Sequence, residues 1–159
     1  MMVVGMVGDS LVKHQRPGEH GAVIATAPAP GPGGAGKAPA TAEPIDALLA
    51  QANVEHGKDV AKKCAACHTF GKGEPNKIGP NLYGIVNNKH AHREDFAFSA
   101  AMKAMQGNWT YDELNTFLFK PQAHVPGTKM TFAGLPKTQD RADVIAYLRS
   151  LADSPAPLP

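Results

Sequence analysis

The chain predicts an all-α domain of short helices and long loops, and three observations carry that prediction. No segment alternates apolar and polar residues convincingly enough for a half-buried strand. Several segments instead carry helix start and stop signals around apolar stripes. The only two cysteines stand in Cys64-Ala65-Ala66-Cys67-His68, a C-x-x-C-H pentapeptide at the end of a helical stretch.

Taken in order, Ile45 to Gln51 reads as one or two amphipathic turns, and Val54 to Ala66 as the first substantial helix, ending in the pentapeptide. Phe70 to Asn81 is rich in Gly, Pro and Lys and reads as loop. Ser99 to Met105 spaces Ala, Met and Lys as a short helix. Thr110 with Glu113 forms a capping box, opening a helix that runs to about Phe119 and stops before Pro121. Thr138 is the expected cap of the last helix. There Val144, Ile145, Leu148 and Leu151 line one stripe beside Tyr147, with Asp140, Arg141, Asp143 and Arg149 expected to face water.

Composition divides the 159 residues into a tail (1–24), a linker (25–44), a domain (45–152) and a Pro-rich C-terminal tail (153–159) expected to fray. Sixteen of the twenty residues from Ala25 to Pro44 are Ala, Gly or Pro, too little apolar surface to offset the entropy of ordering. Pro28, Pro30 and Pro32 stiffen that tether. Met1 to Val7 is apolar, but Asp9 and Lys13 cut it far below the roughly 20 residues that span a bilayer. It also lacks the positive start of a secretory signal. An apolar scrap joined to a tether reads as the remnant of a membrane anchor, with the native frame expected to begin upstream or the chain to have been trimmed. Between Asn53 and Ala152, thirteen Lys and Arg face nine Asp and Glu. That surplus of +4 is too weak and scattered for nucleic acid, but suits an acidic protein partner.

C-x-x-C-H marks covalent attachment of a c-type haem. Two thiols separated by two residues on a helical turn can each add to one vinyl group of a porphyrin edge. The following histidine then lies under the ring, where its imidazole can take an axial position on iron. A thioredoxin-like dithiol would open a helix after a strand, and no buried strand precedes this motif. A zinc site could enlist His90 and His92 with the two cysteines, across a long intervening segment and with His68 unexplained. Chance is the third alternative. A porphyrin would also supply the apolar mass that about 100 loop-rich residues lack, so the domain is expected to unfold without it.

The residues downstream that could take iron's second axial position are His90, His92, His124, Met102, Met105 and Met130. His90 and His92 sit in a polar loop with Lys89 and Arg93 and are expected to be solvated. Met102 and Met105 fit a helix face, so core packing is their default. Met130 differs, because Pro126-Gly127-Thr128-Lys129-Met130 is non-helical and an unbranched thioether can reach inward from it.

The sequence resembles the class I cytochromes c of mitochondrial and alphaproteobacterial type. The likeness runs over about Val54 to Leu151, in Lys63 to Thr69, Ile78-Gly79-Pro80-Asn81-Leu82-Tyr83-Gly84, Asn108-Trp109-Thr110, Pro126 to Met130 with Phe132-Ala133-Gly134, and Asp143 to Leu148. The tether makes it most similar to the membrane-anchored subgroup. The resemblance implies a cytochrome c fold, a few helices and long loops wrapped around one covalently bound haem. It implies thioethers from Cys64 and Cys67, His68 as proximal ligand and Met130 as distal ligand. Pro80 would offer its carbonyl to the other ring nitrogen of His68, and Trp109 and Thr128 would donate to a haem propionate. Gly57 would let the first and last helices cross near Tyr147. The chain departs from the family at Phe117 and Phe98, where tyrosines are frequent, and at Asn87-Asn88, where Gly-Arg is frequent.

The implied function is one-electron transfer without an enzymatic reaction, through low-spin iron with both axial positions filled and a relatively high potential. Lys62, Lys63, Lys72 and Lys129 would surround the exposed haem edge. The implied partners are a quinol–cytochrome c oxidoreductase of bc1 type as donor and cytochrome c oxidase as acceptor. The implied setting is the periplasmic side of a bacterial inner membrane, tethered or soluble, as a monomer. Two other readings stay open: a haem enzyme or gas sensor whose Met130 dissociates, and a haem-free dithiol or zinc module.

Overall fold

The computed structural model describes residues 41–159. The apolar scrap and nearly all of the tether lie outside the described residues. Six helices follow one another: α1 (Asp46–Leu49), α2 (Val54–Ala61), α3 (Ala100–Ala104), α4 (Tyr111–Phe119), α5 (Pro121–His124) and α6 (Thr138–Ser150). Among the described residues the only strand-like pairing is one antiparallel bridge, Lys89 to Asn108. None of their helices is long and apolar enough to cross a membrane.

Local chemistry explains most helix ends. Asn53 caps α2 by accepting the His56 N–H at 3.0 Å, and Ser99 caps α3 by accepting the Met102 N–H at 3.1 Å. Thr110 accepts the Glu113 N–H at 3.2 Å. The reciprocal half of the expected capping box is absent, because the Glu113 carboxylate is taken by His124 at 2.7 Å. Pro121 occupies the first turn of α5, where a missing N–H costs nothing. The expected helix through Ala66 ends at Ala61, and tighter turns carry the chain on, with the Cys64 N–H donating to Ala61 O at 2.8 Å and the Cys67 N–H to Cys64 O at 3.0 Å.

α6 is the spine. It packs on α1, α2 and α4 and buries Val144, Ile145 and Leu148, with Leu151 partly covered at its end. At the crossing with α2, a Cβ on Gly57 would overlap the Asp143 carbonyl and touch Tyr147 Cβ at 3.0 Å. Gly57 therefore allows the close approach expected of it.

Three expectations fail here. Thr138 is not the cap of α6: Lys137 holds that position without a side-chain bond, and the Thr138 hydroxyl donates to the Glu43 carboxylate. Arg141 and Asp143 do not face water; they are 0% and 2% exposed. Arg141 donates to Asn115 Oδ1 at 2.7 Å, Leu135 O at 2.8 Å and Pro136 O at 2.9 Å, and its guanidinium lies over the Phe119 ring at 5.0 Å. Asp143 accepts the Asn53 N–H at 2.8 Å, bonds His56 Nδ1 at 2.7 Å and accepts from Gln139 at 2.8 Å. Burial raises the Asp143 carboxyl, but these bonds outweigh it and hold the group below its ordinary value.

Both edges of the domain are tied down. The Asn115 amide donates to Glu43 O at 2.8 Å, which ties Glu43, inside the stretch read as linker, to α4. The C-terminal tail is docked rather than frayed. Arg149 Nε donates to Ala156 O at 2.6 Å, the Tyr111 hydroxyl donates to Ala156 O at 3.2 Å and Pro157 O at 3.0 Å, and Lys72 pairs with Asp153 at 2.5 Å.

Candidate haem-binding cavity

Helices α3, α4 and α6 and the long loops enclose a largely apolar cavity of about 290 Å³ that reaches Cys64, Cys67, His68, Pro80, Trp109, Thr128 and Met130. All seven residues singled out in the sequence therefore share one wall-to-wall space. Burial pushes the Cys64 thiol up, partly countered by Lys63.

The imidazole of His68 is held by its neighbours. His68 Nδ1 lies 2.7 Å from Pro80 O; a carbonyl only accepts, so Nδ1 carries the proton and donates, leaving Nε2 as a lone-pair donor. Burial lowers the basicity of His68 against the opposing pull of that carbonyl. Gly79 lies so close under the ring that any Cβ there would collide with it. Its N–H donates to Cys67 O at 2.7 Å. Asn81, 0% exposed, braces the loop by donating to Thr69 Oγ1 at 2.9 Å and Gly71 O at 3.0 Å, while its Oδ1 accepts the Tyr83 N–H at 3.1 Å. The sequence displayed Asn81 inside a matching segment without revealing this role.

The Met130 segment is held from behind. Gln122 Nε2 donates to Met130 O at 2.5 Å and to Thr128 O at 3.1 Å, a clamp that sequence reasoning missed. Gly127 turns the chain at φ +88, and the Met130 N–H donates to Thr128 Oγ1 at 3.3 Å. Trp109 is 5% exposed, packed against Phe117 with ring centres 4.9 Å apart. Phe98 and Phe117 both reach the cavity, and neither brings a donor. Asn87 adopts φ +62, a left-handed geometry that asparagine tolerates better than most residues.

The alternative ligands separate. Met102 reaches the cavity wall and is buried, while Met105 packs at the core edge. His124 is bonded to Glu113 outside the cavity. His90 is not solvated as expected: its side chain is 2% exposed, stacked edge-on against Trp109 at 4.4 Å, with Nε2 3.6 Å from Glu113 Oε1. The bridge that joins Lys89 to Asn108 draws it under Trp109. His92 is not solvated as expected either: it is half-buried, lines the cavity and has both ring nitrogens shielded from solvent.

Of the four lysines expected at the mouth, Lys63 and Lys129 line the cavity. Lys62 is paired with Asp59 at 2.6 Å and Lys72 with Asp153 at 2.5 Å. Lys129 Nζ donates to Ala97 O at 2.7 Å, and Ile78 beside them is 81% exposed.

Two thiols, an imidazole with one nitrogen free and a thioether, all on one apolar space, fit a covalently attached haem. Among the described residues, no three His, Cys, Asp or Glu side chains gather closely enough to hold a metal ion by themselves. An all-α domain whose loops enclose such a space is a haem-carrying domain of the cytochrome kind. The cytochrome c family model matches residues 54–152, and the chain belongs to that family. It is 50% identical over 161 residues to a cytochrome c homolog of Bradyrhizobium diazoefficiens, covering 100% of this chain and 88% of that protein. It is 50% identical over 91 residues to the cytochrome c-type cyt cy of Rhodobacter capsulatus, 57% of this chain and 44% of that relative. Among solved structures, cytochrome cH from Methylobacterium extorquens matches with a TM-score of 0.58 and 36% identity, covering 62% of this chain and 98% of that one. The family carries covalently bound haem c, and its members are electron carriers.

Proposed function

We propose that this electron carrier holds its haem by thioethers from Cys64 and Cys67, with His68 and Met130 as the two axial ligands, and that it passes electrons from a bc1-type quinol oxidoreductase to cytochrome c oxidase on the periplasmic side of a bacterial inner membrane. Bound haem supplies a one-electron ferric/ferrous couple. The observation that carries the reading is that His68 Nε2 is left free by the Pro80 bond while Met130 shares the same cavity. Pro80 fixes the imidazole's tautomer and Gln122 fixes the loop that presents the thioether. The apolar walls exclude water, so little rearranges when the charge changes. Lys63 and Lys129 give the mouth a positive rim for an acidic partner.

The test is Met130→Leu in natively matured protein. Loss of the weak red absorption of thioether-bound ferric haem, a lower potential and carbon monoxide binding in the reduced state are expected. An unchanged optical and magnetic signature would overturn the assignment of Met130. Carbon monoxide binding by the unaltered protein would favour the labile-ligand reading, against which the Gln122 clamp argues.

A further inference from the structure

Among the described residues, the side-chain nitrogens that are buried with no hydrogen-bond partner belong to two histidines, His90 and His92. Buried polar atoms are nearly always satisfied, so each such atom requires a reason. His90 lies outside the cavity and approaches Glu113. His92 instead lines the cavity itself, with both ring nitrogens unpaired.

The backbone before it is strained. Ala91 adopts φ +50, a left-handed geometry with neither the freedom of glycine nor a side chain that could bond locally. The residues after it are fixed on the outer surface: Arg93 grips Asp95 at 3.0 and 2.9 Å, and the Asn76 amide donates to Asp95 O at 3.4 Å. The loop therefore holds the imidazole against the cavity, and the nearby Phe96 and Phe98 bring no donor. A haem is apolar except for its two propionate carboxylates, so an unpaired ring N–H of a residue lining this space would have one kind of haem acceptor to meet.

We propose that His92 anchors a haem propionate through a ring N–H and, by gaining and losing its own proton, makes the carrier's potential respond to pH. The proposal rests on the haem reading above. The ionisable groups around His92 are Arg93 and Asp95 on its own loop. His90 and Glu94 of the same loop and Lys103 of α3 border its outer face, and His68, Lys63 and Lys129 share the cavity. In the protein alone, burial and then Arg93 lower the basicity of His92 against Asp95. A neighbouring carboxylate acts in the opposite direction and stabilises the imidazolium. With haem bound, the added positive charge of the ferric form would favour release of the His92 proton to solvent and reduction would favour its return, a fraction of a proton per electron when the two acidities differ tenfold.

The experiment measures midpoint potential from pH 5 to 9 on haem-loaded wild type, His92→Phe and His92→Gln, with haem per chain determined on each sample. The wild-type potential should fall through neutral pH. A tenfold difference in imidazole acidity between oxidation states corresponds to a drop of about 59 mV. Both variants should be flat across that window, with His92→Phe below wild type at pH 5. Proton NMR should show the His92 ring titrating at different pH in ferrous and ferric protein. A slope that survives in His92→Gln at full haem content overturns the proposal. Wild-type protein without covalent haem overturns the carrier reading instead.

Discussion

Gly57→Ala separates tertiary packing from local helix propensity, because the two predict opposite signs. Within an isolated helix the change stabilises by about 1 kcal/mol. At this crossing the new methyl would overlap the Asp143 carbonyl, and the obstacle is backbone, which cannot swing aside. Overpacking costs about 1–3 kcal/mol, with immovable neighbours at the upper end. Parting α2 from α6 also stretches the bonds that Asn53 N–H and His56 make to Asp143 at 2.8 and 2.7 Å, each worth about 1 kcal/mol. With those two bonds stretched rather than broken, so that about half their worth is lost, the net is a loss of about 3 kcal/mol, which for a domain of about 100 residues lowers the melting temperature by roughly 12–24 °C. The assay is thermal unfolding of haem-loaded protein followed by circular dichroism. A melting temperature equal to or above wild type would show that the helices have room, and the account of α6 as a tightly held spine would be wrong.

Asp143 contributes stability through a carboxyl held below its ordinary value, so that stability is complete above about pH 4 and is lost as pH falls through the native value. Asp143→Asn should lose about 1–3 kcal/mol at pH 7 in urea titrations and lose less on acidification than wild type does; parallel acid profiles would refute this. Tyr111→Phe removes the donor to the Ala156 and Pro157 carbonyls. It should cost about 1 kcal/mol and accelerate amide exchange or proteolysis across 154–159, and an unchanged cleavage rate there would show that the tail is held by other contacts.

How much of this was readable beforehand follows from the range of each interaction. The pentapeptide, the Thr110 cap and the break at Pro121 are local chemistry, and each stands where the sequence put it. Arg141 and Asp143 were misplaced because charge was equated with exposure. Their partners Asn115 and Asn53 lie 26 and 90 residues away, and α6 is covered by α1, α2 and α4, so its buried arc is wider than its apolar stripe. His90 was misplaced for a similar reason, since its burial depends on a backbone bridge between loops. Beyond Asp153, which pairs with Lys72, the Pro-rich tail gave no sign of docking because it contributes carbonyls, which every residue has. Gln122 was invisible because a clamp on a backbone oxygen leaves no spacing pattern.

The same distinction between local and distant partners reshapes the surface around the cavity mouth. A sequence count credits four lysines there, yet Lys62 and Lys72 already face Asp59 and Asp153. These exposed pairs are weak and are screened by salt. A partner's carboxylates can therefore displace them at small cost, and Lys62 and Lys72 remain available on contact. At a distance their fields are largely cancelled, so if a partner docks at this mouth as proposed, its attraction would come from Lys63 and Lys129 around the exposed Ile78. Docking there would combine modest steering with a small, partly apolar contact, suited to a carrier that must also leave.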